Sequence, residues 1–149
     1  CVGCGRCLGA CNFDAISFDN DNANEVLNCR MAEYTKAVVH GRPSFHISLV
    51  VDVSPNCDCH CENDAPILPD IGMFCSFDLL ALDQACVDAC LRQQPLPGSQ
   101  LYDNMHKEGF CDHHDHFENS TPESEYKTCL AHAEKIGIGS REYELIEMK

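Results

Sequence analysis

Four cysteines at the start of the chain constrain the fold more than any other feature. They form a Cys-x2-Cys-x2-Cys-x3-Cys run and are Cys1, Cys4, Cys7 and Cys11. The two-residue gaps allow successive thiolates to point toward one centre, and the glycines between them allow the backbone to curl closely around it. Zinc or disulfides are the alternatives, but crowding of this kind is typical of cluster ligation. We therefore predict a 4Fe–4S cluster at these thiolates.

The fourth ligand of that cluster is not assured by the sequence. In two-cluster ferredoxins, the last cysteine of such a run binds the other cluster, and this chain has a single run. Asn12 also replaces the proline that usually follows. Since the motif begins at residue 1, we expect an upstream segment of a longer protein to complete the site and a second cluster. Two alternatives stay open: Cys29 closes the cluster, or the chain folds without one.

The number of cysteines bears on the cellular compartment. Thirteen cysteines in 149 residues is an odd number, in a chain long enough to fold without disulfides. Clustered thiolates in a reducing cytoplasm are the better interpretation. The sequence has no run of 18 apolar residues and no recognisable signal peptide. It therefore predicts a cytoplasmic protein without a membrane span.

The charge of the chain bears on its partners. The net charge is −14 and the isoelectric point is near 4.7. Phosphate groups would be repelled, so a nucleic-acid partner is not expected. An acidic electron carrier would instead dock on a redox protein that has a basic surface patch.

A second group of possible metal ligands lies in the stretch NCDCHCE. Its members are Cys57, Cys59, His60 and Cys61. Alternate side chains of an extended segment point to the same side, so two thiolates can converge on one metal, and zinc accepts such N and S ligands. A loop of unligated cysteines, or completion of the ferredoxin-type cluster, are the alternatives.

The remaining cysteines and histidines are more typical of a solvated loop and of core packing than of a metal site. The segment CDHHDHFE, residues 111–118, is rich in ligand types, but they are contiguous, so we expect a solvated polar loop. Four cysteines fall on predicted strand or helix positions, where a thiol packs as a small apolar group. They are Cys75, Cys86, Cys90 and Cys129.

Hydrophobic periodicity predicts an α/β fold, with a small mixed sheet packed with helices and a ferredoxin-like cysteine loop at the N-terminus. Helices are expected at about 25–40, 76–93 and 122–136, and strands at about 44–53, 71–75 and 142–148. The first strand ends in a near-continuous apolar run, which predicts burial on both faces. Residues 95–122 are expected to form a long loop. We divide the chain into a ferredoxin-like segment, 1–23, and an α/β domain, 24–149.

Five stretches of the chain resemble one family. Besides the cysteine run, these are MAEYTKAVV, DVSPNCDCHCENDAPILPDIG, DLLALDQACVD and EKIGIGSREYELI. They are similar to prokaryotic iron–sulfur centre proteins built on domain of unknown function 362. The resemblance implies a ferredoxin-like module joined to an α/β domain, and an upstream portion with a second cysteine run. It also implies that Cys57, Cys59, Asp64 and Asp70 lie in a characteristic polar loop. The family has no settled reaction.

Two classes of function follow from these patterns. The first is an iron–sulfur redox protein that transfers electrons. The second is a metal-dependent enzyme that uses the Cys57 and Cys59 loop, although no GxGxxG, GxSxG or P-loop motif supports it. A purely structural metal site is the third possibility.

Overall fold

The computed structural model describes residues 6–13, 15, 23–57 and 63–148. Within these residues the chain forms six helices and one two-stranded sheet. The helices are α1 (Arg6–Ala10), α2 (Ala23–Val39), α3 (Leu79–Leu91), α4 (Gln100–Met105), α5 (His116–Ser120) and α6 (Tyr126–Lys135), and the strands are β1 (His46–Val50) and β2 (Gly72–Ser76). The predicted α/β class, with a small sheet packed with helices, is confirmed.

The sheet has one packed face and one exposed face. β1 and β2 pair antiparallel, from His46 opposite Ser76 to Val50 opposite Gly72. Along β1, Val50 is buried, whereas Ile47 and Leu49 are 59% and 66% exposed. The prediction that this strand is buried on both faces is wrong, because helix α3 covers only one side of the sheet.

Helix α3 is the central element, and its start is fixed by Asp78. The Asp78 carboxylate accepts hydrogen bonds from the backbone N–H groups of Leu80 and Ala81, at 2.9 and 3.0 Å, and so caps the helix. The sequence predicted that this helix begins at about residue 76. Ser76 instead ends β2, and its hydroxyl accepts a bond from the Asp78 N–H at 3.0 Å.

The stretch GIGS after α6 connects two helices. Gly137 takes a left-handed conformation, φ 75°, which ends α6. A side chain at Gly139 would collide with the Asp78 carboxylate, and the next N–H, of Ser140, donates to that carboxylate at 3.0 Å. Only glycine fits at 139, so the GIGS stretch tethers the end of α6 to the start of α3.

Helix α6 begins at Tyr126 rather than at the predicted Pro122.

The elements stack in the order sheet, α3, α6, α2. One core cluster lies between the sheet, α3 and α4 and contains Val50, Ile67, Leu68, Cys90 and Leu101. A second joins α2, α3 and α6 and contains Ala32, Leu80, Leu130 and Ala133. Helix α3 contributes to both clusters, which therefore pack the layers of the described part of the chain against each other.

Two segments differ from their predicted structure. Residues 95–122 contain helices α4 and α5 rather than one long loop. Residues 142–148 form no strand; the Tyr143 side chain is bonded to Asp88 of α3 instead. In the part of the chain that the structure describes, no helix is long and apolar enough to cross a membrane.

Candidate functional site

Two of the four N-terminal cysteines lie within the described residues. Cys7 is exposed on α1, and Cys11 follows the end of this helix and is half-buried. The local backbone is helical over residues 6–10, where the sequence predicted a loop. Cys1 and Cys4 lie outside the described residues.

The second predicted ligand group lies at a loop whose two ends are joined. The Asn63 amide donates to the Asn56 carbonyl at 3.0 Å and to the Ser54 hydroxyl at 3.1 Å. The Asn63 side-chain oxygen accepts from the Asn56 N–H at 3.1 Å. Cys57 is exposed at the start of the enclosed segment, and Cys59, His60 and Cys61 lie outside the described residues. Asn63 therefore fixes both ends of the segment that carries this group.

A polar cavity of about 510 Å³ opens beside Cys57. Its walls come from the start of α2, with Asn24 and Asn28, and from the connection between α5 and α6. The Thr121 hydroxyl donates to the Pro55 carbonyl at 2.7 Å and so attaches that connection to the Cys57 loop. The cavity therefore brings together three segments that are distant in sequence.

One polar atom in the wall of this cavity is notable. Ser120 is 3% exposed, and its hydroxyl has no hydrogen-bond partner among the described residues. A buried hydroxyl without a partner costs free energy. No sequence signal marks Ser120, since its burial depends on how α5 packs against residues 100–104.

Comparison with protein-family models identifies one match. The model of domain of unknown function 362 (DUF362) matches residues 5–88, more than half of the chain. The chain belongs to the DUF362 family. A search of the curated proteins and a search of the solved structures each found no match.

The DUF362 match includes part of the first predicted ligand group and all of the second. Cys7, Cys11 and the segment from Cys57 to Cys61 fall inside residues 5–88, whereas Cys1 and Cys4 precede it. The match ends within α3, so one wall of the polar cavity, from α5 to α6, lies beyond it. The cavity thus joins the matched region to the rest of the chain.

The histidine-rich segment 111–118 lies outside the DUF362 match, and part of it has a structural role. Asp115 is 3% exposed and caps α5, and it also accepts bonds from the Tyr126 hydroxyl and the Lys127 ammonium group. His116 Nε2 lies 2.9 Å from the Gln93 carbonyl. The predicted solvated loop is therefore only half right: His113 and His114 are exposed, but α5 and its cap are packed.

Burial separates the other cysteines into two groups. Cys90 lies in the core, where desolvation raises the pKa of its thiol to about 11, and burial also raises the thiol pKa of Cys86 and of Cys129. Such thiols are poor metal ligands at neutral pH because a ligand must be deprotonated. Core packing is thus confirmed for these three. Cys75 is exposed on the open sheet face, and the prediction of core packing is wrong there.

The described residues do not contain a complete metal site. Among them, no group of three or more histidine, cysteine, aspartate or glutamate side chains is placed to hold a metal ion. Both predicted ligand groups have members beyond these residues. The structure therefore gives the positions of Cys7, Cys11 and Cys57 and leaves the other ligands as predictions.

Proposed function

We propose that this DUF362 protein is an iron–sulfur electron carrier, with Cys1, Cys4, Cys7 and Cys11 as cluster ligands. The observation that carries the proposal is the spacing of these four cysteines in the sequence. An iron–sulfur cluster exchanges single electrons when it is bound. The exposure of Cys7 supports this role, because that thiol is available to a ligand rather than packed in the core.

The chemistry of the thiols distinguishes Cys7 from the core cysteines. A ligand thiol must lose its proton, and burial opposes this at Cys86, Cys90 and Cys129. Cys7 instead lies exposed on the surface of a short helix. The net charge of −14 suits docking to a redox partner with a basic surface, which would speed their association.

A Cys7→Ser variant tests the ligand assignment. We expect the anaerobically purified protein to absorb visible light in the blue and the variant to lose this absorbance, together with the EPR signal of the reduced cluster. Cys111→Ser is the matched control, because Cys111 is also exposed but lies outside the run. Unchanged colour and EPR signal in Cys7→Ser would contradict the assignment.

The polar cavity beside Cys57 favours a second candidate function. We propose, as the alternative, a metal site formed by Cys57 and Cys59 with His60 or Cys61, whose bound metal faces a substrate in that cavity. The polar residues Asn24, Asn28 and Glu125 line this cavity and support binding of a polar ligand there. Zinc suits this ligand set and would act as a Lewis acid when an open coordination position remains.

Titration with Co²⁺, a spectroscopic substitute for zinc, tests the second candidate. Thiolate ligation gives a sulfur-to-cobalt absorption band. In a background in which Cys1, Cys4, Cys7 and Cys11 are replaced by serine, we expect this band to disappear in Cys57→Ser and to persist in Cys75→Ser. Cys75 is a suitable control because it is also exposed but lies on β2. A band that is equally strong in Cys57→Ser would reject this site.

A further inference from the structure

A long groove runs beside β2 and is not part of either proposed metal site. Its volume is about 810 Å³. One wall is the strand itself, residues 71–76, and the other is the C-terminal segment, residues 143–148. The floor is the adjacent face of α3. The two walls are similar in length, which gives the groove the outline of a single extended segment.

The lining residues show that the groove follows the backbone edge of β2. Met73 and Cys75 point to the exposed side of the sheet, while Phe74 and Ser76 point toward α3, yet all four line the groove. Since alternate side chains of a strand point to opposite faces, a groove that touches both sets runs along the edge. Within the described residues β2 pairs with β1 alone, so this edge has no strand partner.

The floor of the groove consists mostly of small side chains. Ala81, Ala85 and Ala89 recur every four residues on α3 and therefore share one face of the helix. Side chains of this size allow a backbone to lie close to the helix.

The opposite wall is held away from β2 by bonds to α3. The Tyr143 hydroxyl donates to the Asp88 carboxylate at 2.7 Å, and the Ser140 N–H donates to the Asp78 carboxylate at 3.0 Å. These bonds attach the C-terminal segment to the helix. They explain why residues 142–148, predicted as a strand, do not pair with β2.

We propose that this groove binds an extended polypeptide strand of a partner protein, which pairs with the free edge of β2. Exposed strand edges accept such strands through main-chain hydrogen bonds. The occupant needs about five or six residues, matching the five residues of β2. Its apolar side chains face α3.

The charges of the groove indicate the chemistry of the partner strand. Glu144 and Glu147 line the far wall, and Arg92 is the one cationic side chain among the described lining residues. A second copy of this chain, with net charge −14, would bring more negative charge to the same place. The partner strand is therefore flanked by lysine or arginine residues.

A fluorescein-labelled peptide with a six-residue Thr-Val repeat between lysine pairs tests the proposal. We expect saturable binding by fluorescence anisotropy. Ala85→Trp fills the floor and should weaken binding about tenfold, a loss of about 1.4 kcal/mol. Leu49→Lys is the control, because Leu49 is exposed on β1 outside the groove. The affinity of this variant for the peptide should stay within about twofold of that of the unmodified protein.

Charge reversal on the C-terminal wall tests the proposal without altering the α3 residues that form the floor of the groove. In Glu144→Lys/Glu147→Lys, we expect the lysine-flanked peptide to bind roughly fivefold more weakly and a glutamate-flanked version to bind more tightly. Both residues are exposed, so the variant should fold. Equal affinity of both peptides for this variant and for the unmodified protein would overturn the proposal.

Amide hydrogen exchange locates the bound peptide. We expect the added strand to protect backbone N–H groups of β2, residues 72–76. Protection confined to β1 would reject the assignment to this edge. Concentration-dependent dimerisation that protects the same amides in the absence of peptide would show that a second copy, rather than a partner strand, occupies the groove.

Discussion

At the scale of single residues, Asp115 shows how a histidine-rich segment becomes structural. Its carboxylate accepts bonds from the N–H groups of Phe117 and Glu118 and from the side chains of Tyr126 and Lys127. Burial alone would raise the pKa of this carboxyl group, but the hydrogen bonds from Tyr126 and Lys127 outweigh it, and the net pKa is lowered. One ionised side chain thus joins α5 to α6.

An Asp115→Asn substitution should destabilise the protein at neutral pH. Asparagine can still cap α5, but the charged contact with Lys127 and the charge-assisted bond from Tyr126 are lost. We expect the free energy of unfolding, measured by urea denaturation at pH 7, to fall by about 2 kcal/mol. Asp103→Asn, at an exposed position on α4, should change it by less than about 0.5 kcal/mol.

The effect of Asp115→Asn should depend on pH in one direction. Because the folded-state pKa of Asp115 is lowered, its ionised form adds stability above the unfolded-state pKa, which is about 3.9. That stability is lost as the pH falls through the folded-state value. The difference between the two proteins should therefore shrink below about pH 4. A difference that stayed constant well below that pH would exclude the carboxylate charge as its cause.

At the scale of elements, periodicity predicted the long elements and missed those that depend on tertiary contacts. Helices α2 and α3 and strands β1 and β2 lie close to their predicted ranges. Helices α4 and α5 have six and five residues, too few for a periodic signal. Residues 142–148 alternate like a strand, but the bonds of Tyr143 and Ser140 to α3 hold them off the sheet.

Local pattern also does not show which face of a helix is packed. The apolar side chains of Met31, Tyr34 and Val38 share one face of α2, yet they are 53%, 74% and 67% exposed. The packed face centres on Ala32, which is 3% exposed. Its small side chain allows α6 to approach closely, and that geometry is not encoded in the periodicity of α2 alone.

Two alanines on α2 provide a matched test of this packing. Ala32→Leu should lower the free energy of unfolding by about 1–3 kcal/mol, because the larger side chain must displace α6. Ala37→Leu makes the same change at an exposed position of the same helix and should be nearly neutral. Equal effects of the two substitutions would contradict the placement of α2 against α6.

Contacts between the side chains of α2 and α6 define the relative direction of the two helices. The Asn24 amide donates to the Glu123 carbonyl, Glu33 contacts His132, and Lys36 donates to the Ile136 carbonyl. All three pairs are separated by 99 or 100 residues. The helices are therefore parallel, and Ala32 lies in the middle of their contact.

At the scale of the whole molecule, the candidate sites combine sequence motifs with surfaces that only the fold creates. The cysteine run and the Cys57 group are visible in the sequence because metal ligands have characteristic spacings. The cavity whose wall includes Ser120 and the groove beside β2 are not visible in the sequence, since each is lined by segments that lie far apart along the chain. The DUF362 match covers the cysteine run in part and the Cys57 group in full, and it leaves out the C-terminal wall of the β2 groove and the α5–α6 wall of the cavity beside Cys57.

The content of iron and acid-labile sulfide per chain, measured on anaerobically purified protein, tests whether the N-terminal cysteines hold an iron–sulfur cluster. We expect about four iron and about four sulfide per chain for a 4Fe–4S cluster, both lost in Cys7→Ser and retained in Cys111→Ser. Protein that contains zinc alone at these thiols, or that holds no iron under anaerobic conditions, would contradict this expectation.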